Sequence, residues 1–322
     1  MHTILEKIKK IGIIPVIKID DAEKAVPLAK ALIAGGIPCA EITFRTAQGE
    51  KAIAAINKEV PGILLGAGTV LTIDQVDRAI ASGAKFIVSP GFNSKVVSHC
   101  IKKGIPVTPG CSNPSDIEMA LEMGLEVVKF FPAEQAGGLE YIKAISAPYS
   151  SVSFIPTGGI NAQNIGIYIA YEKVLACGGS WMVNADLINS GNFEKISSLC
   201  REALMSLFGF QMVRVGINSE NEEAACKTAN AFSSLFGFQN AAGDSSVFAG
   251  DSIEIMKPPF YGKNGRIAIA TNSVFRAMDY FQRAGIEFRS ESTKNDSKGN
   301  PIAAYFKEEI GSFAIYLVNR KS

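Results

Sequence analysis

The sequence predicts a (β/α)8 barrel followed by a smaller α+β domain. Three observations carry this. From residue 13 to about residue 208, short β-branched runs alternate with amphipathic, alanine-rich runs, and that alternation builds parallel sheets. Eight such units close a barrel, and about 200 residues is enough for a compact one. Beyond Gly209 the pattern shifts to strand-rich sequence with two helical runs. The length of 322 residues, at roughly 150 per domain, also points to two domains. An open doubly wound sheet is disfavoured. Ile17-Lys18-Ile19-Asp20 leads straight into a helical run, without the Gly-x-Gly-x-x-Gly turn that such sheets carry after their first strand.

The strand candidates are residues 13–19, 39–45, 64–70, 86–90, 106–109, 127–132, 153–157 and 173–177. Helical patterns lie between them, at 22–34, 47–60, 73–82, 93–102, 114–123 and 162–170. Thr72 and Asp74 suit the start of one helix, and Asn113-Pro114 opens another with proline at the first helical position. Gly35-Gly36, Gly83, Gly104 and Gly124 suit helix ends.

After the barrel, strands are expected at 212–217, 247–249, 252–256, 266–270, 286–289, 302–306 and 313–318, with helices at 221–236 and 274–283. This is a weak internal repeat. Asn218-Ser219 precedes the first helix and Gly237 follows it; Asn272-Ser273 and Gly285 flank the second. The polar stretch 291–301 should be an exposed loop. The expected domains are 1–208 and 209–322.

Composition narrows the function. Hydrophobic residues are 47% and charged residues 20%, which excludes a largely disordered chain. Lys plus Arg is 32 against 31 Asp plus Glu, so a broad nucleic-acid surface or polybasic membrane anchor has no support. No apolar run reaches the length of a membrane span, and MHTILEKIKK lacks the apolar core of a secretory signal, so a cytoplasmic setting is expected. None of the 6 cysteines forms a C-x-x-C pair, which fits reduced structural thiols. With only 2 histidines, His2 and His99, a multi-imidazole metal site is excluded within one chain. His99, between Ser98 and Cys100 on a helix, reads as a surface or packing residue.

Catalytic groups of a barrel sit at the C-terminal ends of its strands. Lys129 in Val127-Val128-Lys129-Phe130-Phe131-Pro132 is the clearest polar residue inside an apolar strand. Burial there disfavours the ammonium and yields a nucleophilic amine, although a charge-paired structural lysine fits the same position. In Glu41-Ile42-Thr43-Phe44-Arg45-Thr46, residues two apart share a face. Glu41, Thr43 and Arg45 then face the lumen with Lys129, and Phe131 shares that face. Three ionisable groups at one barrel mouth are destabilising unless they serve a function. Gly158-Gly159 closes the seventh strand and Gly178-Gly179-Ser180 the eighth, the two loops that form the recurrent phosphate site of this fold. Gly66-Ala67-Gly68-Thr69-Val70 and Ser89-Pro90-Gly91 bring backbone close to the same mouth.

These motifs, with Lys129-Phe130-Phe131-Pro132-Ala133, Pro156-Thr157-Gly158-Gly159-Ile160 and Gly178-Gly179-Ser180-Trp181, resemble the keto-deoxy-phosphogluconate (KDPG) and 4-hydroxy-2-oxoglutarate (KHG) aldolases over about residues 1–208. The resemblance implies a class I aldolase, a lyase that is usually a homotrimer and needs no cofactor or metal. It implies that Lys129 forms a Schiff base and that Glu41 shuttles protons. It assigns the pyruvate carboxylate to Arg45 and Thr69, the pocket lining to Pro90, Phe131 and Thr157, and the phosphate to Gly158, Gly159, Gly179 and Ser180. The implied reaction cleaves KDPG, a phosphorylated keto acid, to pyruvate and glyceraldehyde 3-phosphate, a step of the Entner-Doudoroff pathway of carbohydrate metabolism. Cleavage of KHG to pyruvate and glyoxylate is a second activity in view. The alternatives are an aldolase for the galactonate epimer and a phosphate-metabolite-binding barrel without turnover.

From about residue 210 the strand order resembles the vicinal oxygen chelate fold of glyoxalase and bleomycin-resistance proteins, with paired βαβββ modules. The positions matching its metal ligands are Arg214, Glu254, Arg266 and Tyr316. Two arginines would repel a cation, so a divalent metal enzyme is not expected. Three readings stay open: an assembly or stability module, a binder of a small anionic metabolite through Arg214 and Arg266 that regulates the barrel, and a degenerate enzyme.

Overall fold

The structure is a computed structural model that describes residues 1–320. The chain splits into two compact units, Met1–Leu207 and the rest from Phe208 onward.

In the first unit the strands are β1 (Ile13–Ile17), β2 (Cys39–Thr43), β3 (Leu64–Gly68), β4 (Phe86–Val88), β5 (Val107–Thr108), β6 (Val127–Phe130), β7 (Ser153–Pro156) and β8 (Cys177–Gly179). The helices are α1 (Thr3–Ile11), α2 (Ala25–Ala34), α3 (Gly49–Glu59), α4 (Ile73–Ser82), α5 (Ser94–Lys103), α6 (Pro114–Glu122), α7 (Gly138–Ser146), α8 (Ile165–Ile169), α9 (Ala185–Asn189) and α10 (Phe193–Phe208). Strands pair in the order β5-β4-β3-β2-β1-β8, and β6 pairs with β7. Parallel bridges Gly110↔Lys129 and Thr157↔Gly178 join the two sets into one ring.

Local chemistry explains the helix ends. Thr72 Oγ1 accepts from Gln75 N at 3.2 Å, and Asn113 Oδ1 accepts from Asp116 N at 3.0 Å. Each such cap satisfies an orphan amide of the first turn. Gly83 (φ 106°) and Gly104 (φ 67°) close α4 and α5 in the left-handed region that glycine enters without a Cβ clash. Ile42, Ala67, Ile87 and Phe154 are fully buried, so these strands are sealed by the surrounding helices.

One strand departs from expectation. Residues 173–177 were expected as the eighth strand, with the diglycine as its closing loop; the strand is Cys177–Gly179 instead. Gly178 and Gly179 pair with Ile14 and Pro15 of β1. The physical reason is crowding. A Cβ at Gly178 would overlap Thr157, and one at Gly179 would overlap the Trp181 ring. Bare backbone lets the strand pass between them.

The second unit is one sheet of eight strands: β9 (Gln211–Asn218), β10 (Asn240–Ala242), β11 (Ser246–Ala249), β12 (Ile253–Met256), β13 (Gly265–Thr271), β14 (Lys294–Asn295), β15 (Pro301–Ile310) and β16 (Phe313–Asn319). Its order is β10-β11-β12-β9-β13-β16-β15-β14. Helices α11 (Glu222–Phe236) and α12 (Val274–Arg283) follow β9 and β13. β9 lies parallel to β12, β13 lies parallel to β16, and β9 and β13 meet antiparallel at the centre. Two βαβββ modules are thereby paired. Ala225 and Ala229 of α11 pack on Val247, Ala249 and Ile255, and Phe281 of α12 shares a groove with Ile269, Ile315 and Leu317. Both helices therefore cover the same face.

Residues 286–289 do not form the expected strand; Phe288 makes a single bridge to Phe306. Ile286 remains 44% exposed, so its β-branched chain finds no partner face there. The expected loop 291–301 contains the two-residue strand β14 at the sheet edge. No helix among the described residues is long and apolar enough to cross a membrane.

Candidate active site

Glu41 lies in β2 and Lys129 in β6, on strands that face each other across the ring. Lys129 Nζ stands 3.7 Å from Glu41 Oε1, and the two side chains are 8% and 3% exposed. Glu41 Oε1 is buried with no hydrogen-bond partner. A carboxylate oxygen held dry and unsatisfied is destabilising in an ordinary core. It is suited to accept a proton from a group that arrives later. Glycine makes the space: a Cβ at Gly68 would overlap the Glu41 carboxylate.

Thr43 Oγ1 donates to Ile17 O at 2.9 Å and accepts from Arg45 Nε at 3.2 Å. The expected alternation of Glu41, Thr43 and Arg45 therefore holds even though β2 ends at Thr43. Phe131 turns its ring to 5.3 Å from Lys129 Nζ and is 39% exposed, so the amine has an aromatic face beside it.

Phe131 also lines a pocket of about 150 Å³, with Val16, Arg45, Thr157, Gly158, Gly159, Ile160, Gly178, Gly179 and Ser180. Gly158 (φ 99°) and Gly159 (φ 80°) are both left-handed. A Cβ at Gly159 would overlap the Glu134 side chain, and the Glu134 carboxylate accepts a hydrogen bond from Tyr168 Oη. Asn161 and Asn164 hold the turn by donating to Gly159 O at 3.2 Å and 3.1 Å. The result is a wall of backbone, the surface that an oxyanion can approach closely.

Arg45, Phe131, Thr157, Gly158, Gly159, Gly179 and Ser180 are thus gathered in one pocket, with Lys129 and Glu41 beside Phe131. Thr69 and Pro90 are at the ends of the neighbouring strands β3 and β4 but do not line this pocket. Thr69 has φ 57°, a conformation that opposes a β-branched side chain and often marks functional positions. Sequence reasoning passed over Val16 and Ile160 as lining residues. It also passed over Lys18, which with Arg45, Ser180, Asn184 and Asp186 lines an adjoining cavity of about 440 Å³. The signal was present: Lys18 follows β1 and is two residues beyond Val16.

His99 is on α5 with Nε2 2.9 Å from Asp77 Oδ1, away from these residues. All six cysteines are free, five of them buried. Burial pushes the thiols of Cys100, Cys111 and Cys200 up to about 12, so they stay protonated and inert at neutral pH.

The sequence profile of the family described as "Aldolase: KDPG and KHG aldolase" matches residues 4–199. The chain is 52% identical over 204 residues to the 2-dehydro-3-deoxy-phosphogluconate aldolase of Treponema pallidum (strain Nichols), covering 63% of this chain and 97% of that protein. It is 44% identical over 192 residues to the KHG/KDPG aldolase of Escherichia coli (strain K12), covering 60% and 90%. Among solved structures, the KDPG aldolase of Legionella pneumophila, with pyruvate captured as a covalent carbinolamine intermediate, superposes with a TM-score of 0.61. It shares 40% identity and covers 63% of this chain and 98% of that one. The chain belongs to the KDPG and KHG aldolase family.

Proposed function

We propose that the first unit cleaves KDPG reversibly to pyruvate and glyceraldehyde 3-phosphate through a Schiff base on Lys129. The buried Lys129–Glu41 pair beside a glycine-lined pocket carries this reading. The Lys129 amine adds to the keto carbon, and loss of water leaves an iminium. When the C3–C4 bond breaks, its electron pair flows into that iminium to give an enamine. Glu41, directly or through water, takes the proton of the C4 hydroxyl as the aldehyde forms. Protonation of the enamine at C3 and addition of water then release pyruvate and the free amine. Arg45 and Thr69 hold the pyruvate carboxylate, and Pro90, Phe131 and Thr157 line the pocket. Gly158, Gly159, Gly179 and Ser180 receive the phosphate.

KHG is a second substrate in this reading, because it presents the same keto acid head without a phosphate. A steady-state assay of pyruvate release from both compounds tests the proposal. Turnover of KDPG with the higher kcat/KM is expected, and no release from either would reject it. We further infer a homotrimer, as the family resemblance implies, acting in the cytoplasm; light scattering of the purified chain tests the oligomeric state. The central antiparallel pairing of β9 with β13 supports a glyoxalase-like assignment for the second unit.

A further inference from the structure

The sheet of the second unit has one face covered by α11 and α12 and one face that neither of them covers. The latter face carries Arg214, Ser246, Phe248, Glu254, Arg266, Tyr305 and Tyr316, fixed by the register Glu254↔Gly216, Phe248↔Glu254, Arg266↔Gly216, Ala268↔Tyr316 and Tyr305↔Tyr316. Glu254 is only 6% exposed. Its Oε2 lies 2.8 Å from Arg266 Nη2 and 3.6 Å from Arg214 Nη1, and its Oε1 accepts from Ser246 Oγ at 3.0 Å. Arg266 Nη1 also donates to Tyr305 Oη at 2.9 Å.

Arg289 adds a third cation at the edge of this cluster. Its guanidinium lies 4.8 Å from the Tyr261 ring, and that ring sits 5.2 Å from the Tyr305 ring. Its Nη2 donates to the backbone of Lys307 at 3.1 Å. Arg214 and Arg266 thus share one carboxylate, and Arg289 joins them through the rings of Tyr261 and Tyr305. The Nε atoms of Arg214, Arg266 and Arg289 are all buried with no hydrogen-bond partner. Buried charged donors are strongly destabilising when unpaired, and guanidiniums match planar or tetrahedral oxyanions with paired donors.

Aromatic rings surround the surplus charge. Arg266 is flanked by Phe260 at 5.2 Å and Tyr316 at 5.6 Å, and Arg214 lies over Phe248 at 5.1 Å. Such faces hold guanidiniums in place and offer a flat apolar surface to a ligand. Arg214 is 34% exposed along its side chain and Phe260 is 46% exposed, which gives the cluster an opening to solvent. The chain spends a glycine here as well: a Cβ at Gly216 would press against the Arg266 stem.

We propose that this face is a binding site for a small oxyanion, a carboxylate or phosphate with a flat or apolar body, held by Arg214, Arg266 and Arg289. The site lies wholly within the second unit and is independent of the aldolase reading.

Calorimetric titration of the full chain carrying Lys129→Ala, with pyruvate and with inorganic phosphate at low salt, tests it. The same titrations are run on that chain with Arg214→Gln or Glu254→Gln added. All three proteins share one barrel, so differences report the second unit. A saturable component that weakens at least about tenfold in Arg214→Gln and tightens in Glu254→Gln, where the competing carboxylate charge is gone, supports the site. Response to pyruvate or to phosphate says which oxyanion it prefers. Isotherms that are the same in all three proteins would overturn the proposal, as would weakening in both variants. Circular dichroism and limited proteolysis of the chain carrying Arg214→Gln alone, unchanged from wild type, show that its second unit folds.

Discussion

Replacing Glu41 with Gln keeps the shape of the side chain and deletes its charge. The carboxylate stands 3.7 Å from Lys129 Nζ. At that separation and an effective dielectric of about 20, the attraction is about 4 kcal/mol before desolvation. Both side chains are nearly dry, so removing one partner is felt by the other. Positioned acid–base groups contribute roughly 10²–10⁴ in rate. Glu41→Gln is therefore expected to lower kcat by roughly 10²–10⁴-fold, with a much smaller change in KM, since Arg45 and the glycine wall are untouched. A coupled assay for pyruvate release measures both constants, and circular dichroism confirms the fold. A kcat within about threefold of wild type would refute the reasoning, because that is far below the acid–base range.

Gly68→Ala places a methyl against the Glu41 carboxylate; kcat should fall with Glu41 itself intact, and the strain should destabilise the chain by about 1–3 kcal/mol in chemical denaturation. Gly159→Ala combines a left-handed φ of 80° with a clash against Glu134. It should raise KM for KDPG while sparing KHG, which has no phosphate. Timed alkylation with peptide mapping should label Cys226 before the five buried cysteines. Burial lifts the Tyr305 phenol from 10.0 to about 12. Its folded form resists ionisation, so its stabilisation is complete below pH 10.0 and is lost between there and about pH 12. Unfolding midpoints across that range should fall less steeply in Tyr305→Phe.

Much of the barrel was legible because periodicity and caps agree with its tertiary structure. Thr72 to Gly83 reads as a helix from both ends and is one. The polar residues in β2 and β6 stood out because their neighbours are apolar, and spacing alone put Glu41, Thr43 and Arg45 on one side. The eighth strand was misplaced because its glycines serve neighbours distant in sequence, Thr157 and Trp181, which local pattern does not reveal. Lys18 was overlooked because a lysine after a short strand looks like any solvated charge; only the fold places it at a cavity with Arg45 and Ser180. In the second unit β10 was missed because Asn-Ala-Ala is polar and small, and edge strands can be exposed on both faces. The arginine cluster arises from strands far apart in sequence. Arg214 and Arg266 could be singled out in advance, whereas Arg289 joins them only through the rings of Tyr261 and Tyr305.

Trapping with borohydride tests the central claim most directly. The full chain is incubated with pyruvate, reduced, digested and mapped by mass spectrometry. A single reduced pyruvyl adduct on Lys129 is predicted, forming in step with loss of aldolase activity. An adduct on a different lysine, or an enzyme that turns over while Lys129 stays unmodified, would contradict the account.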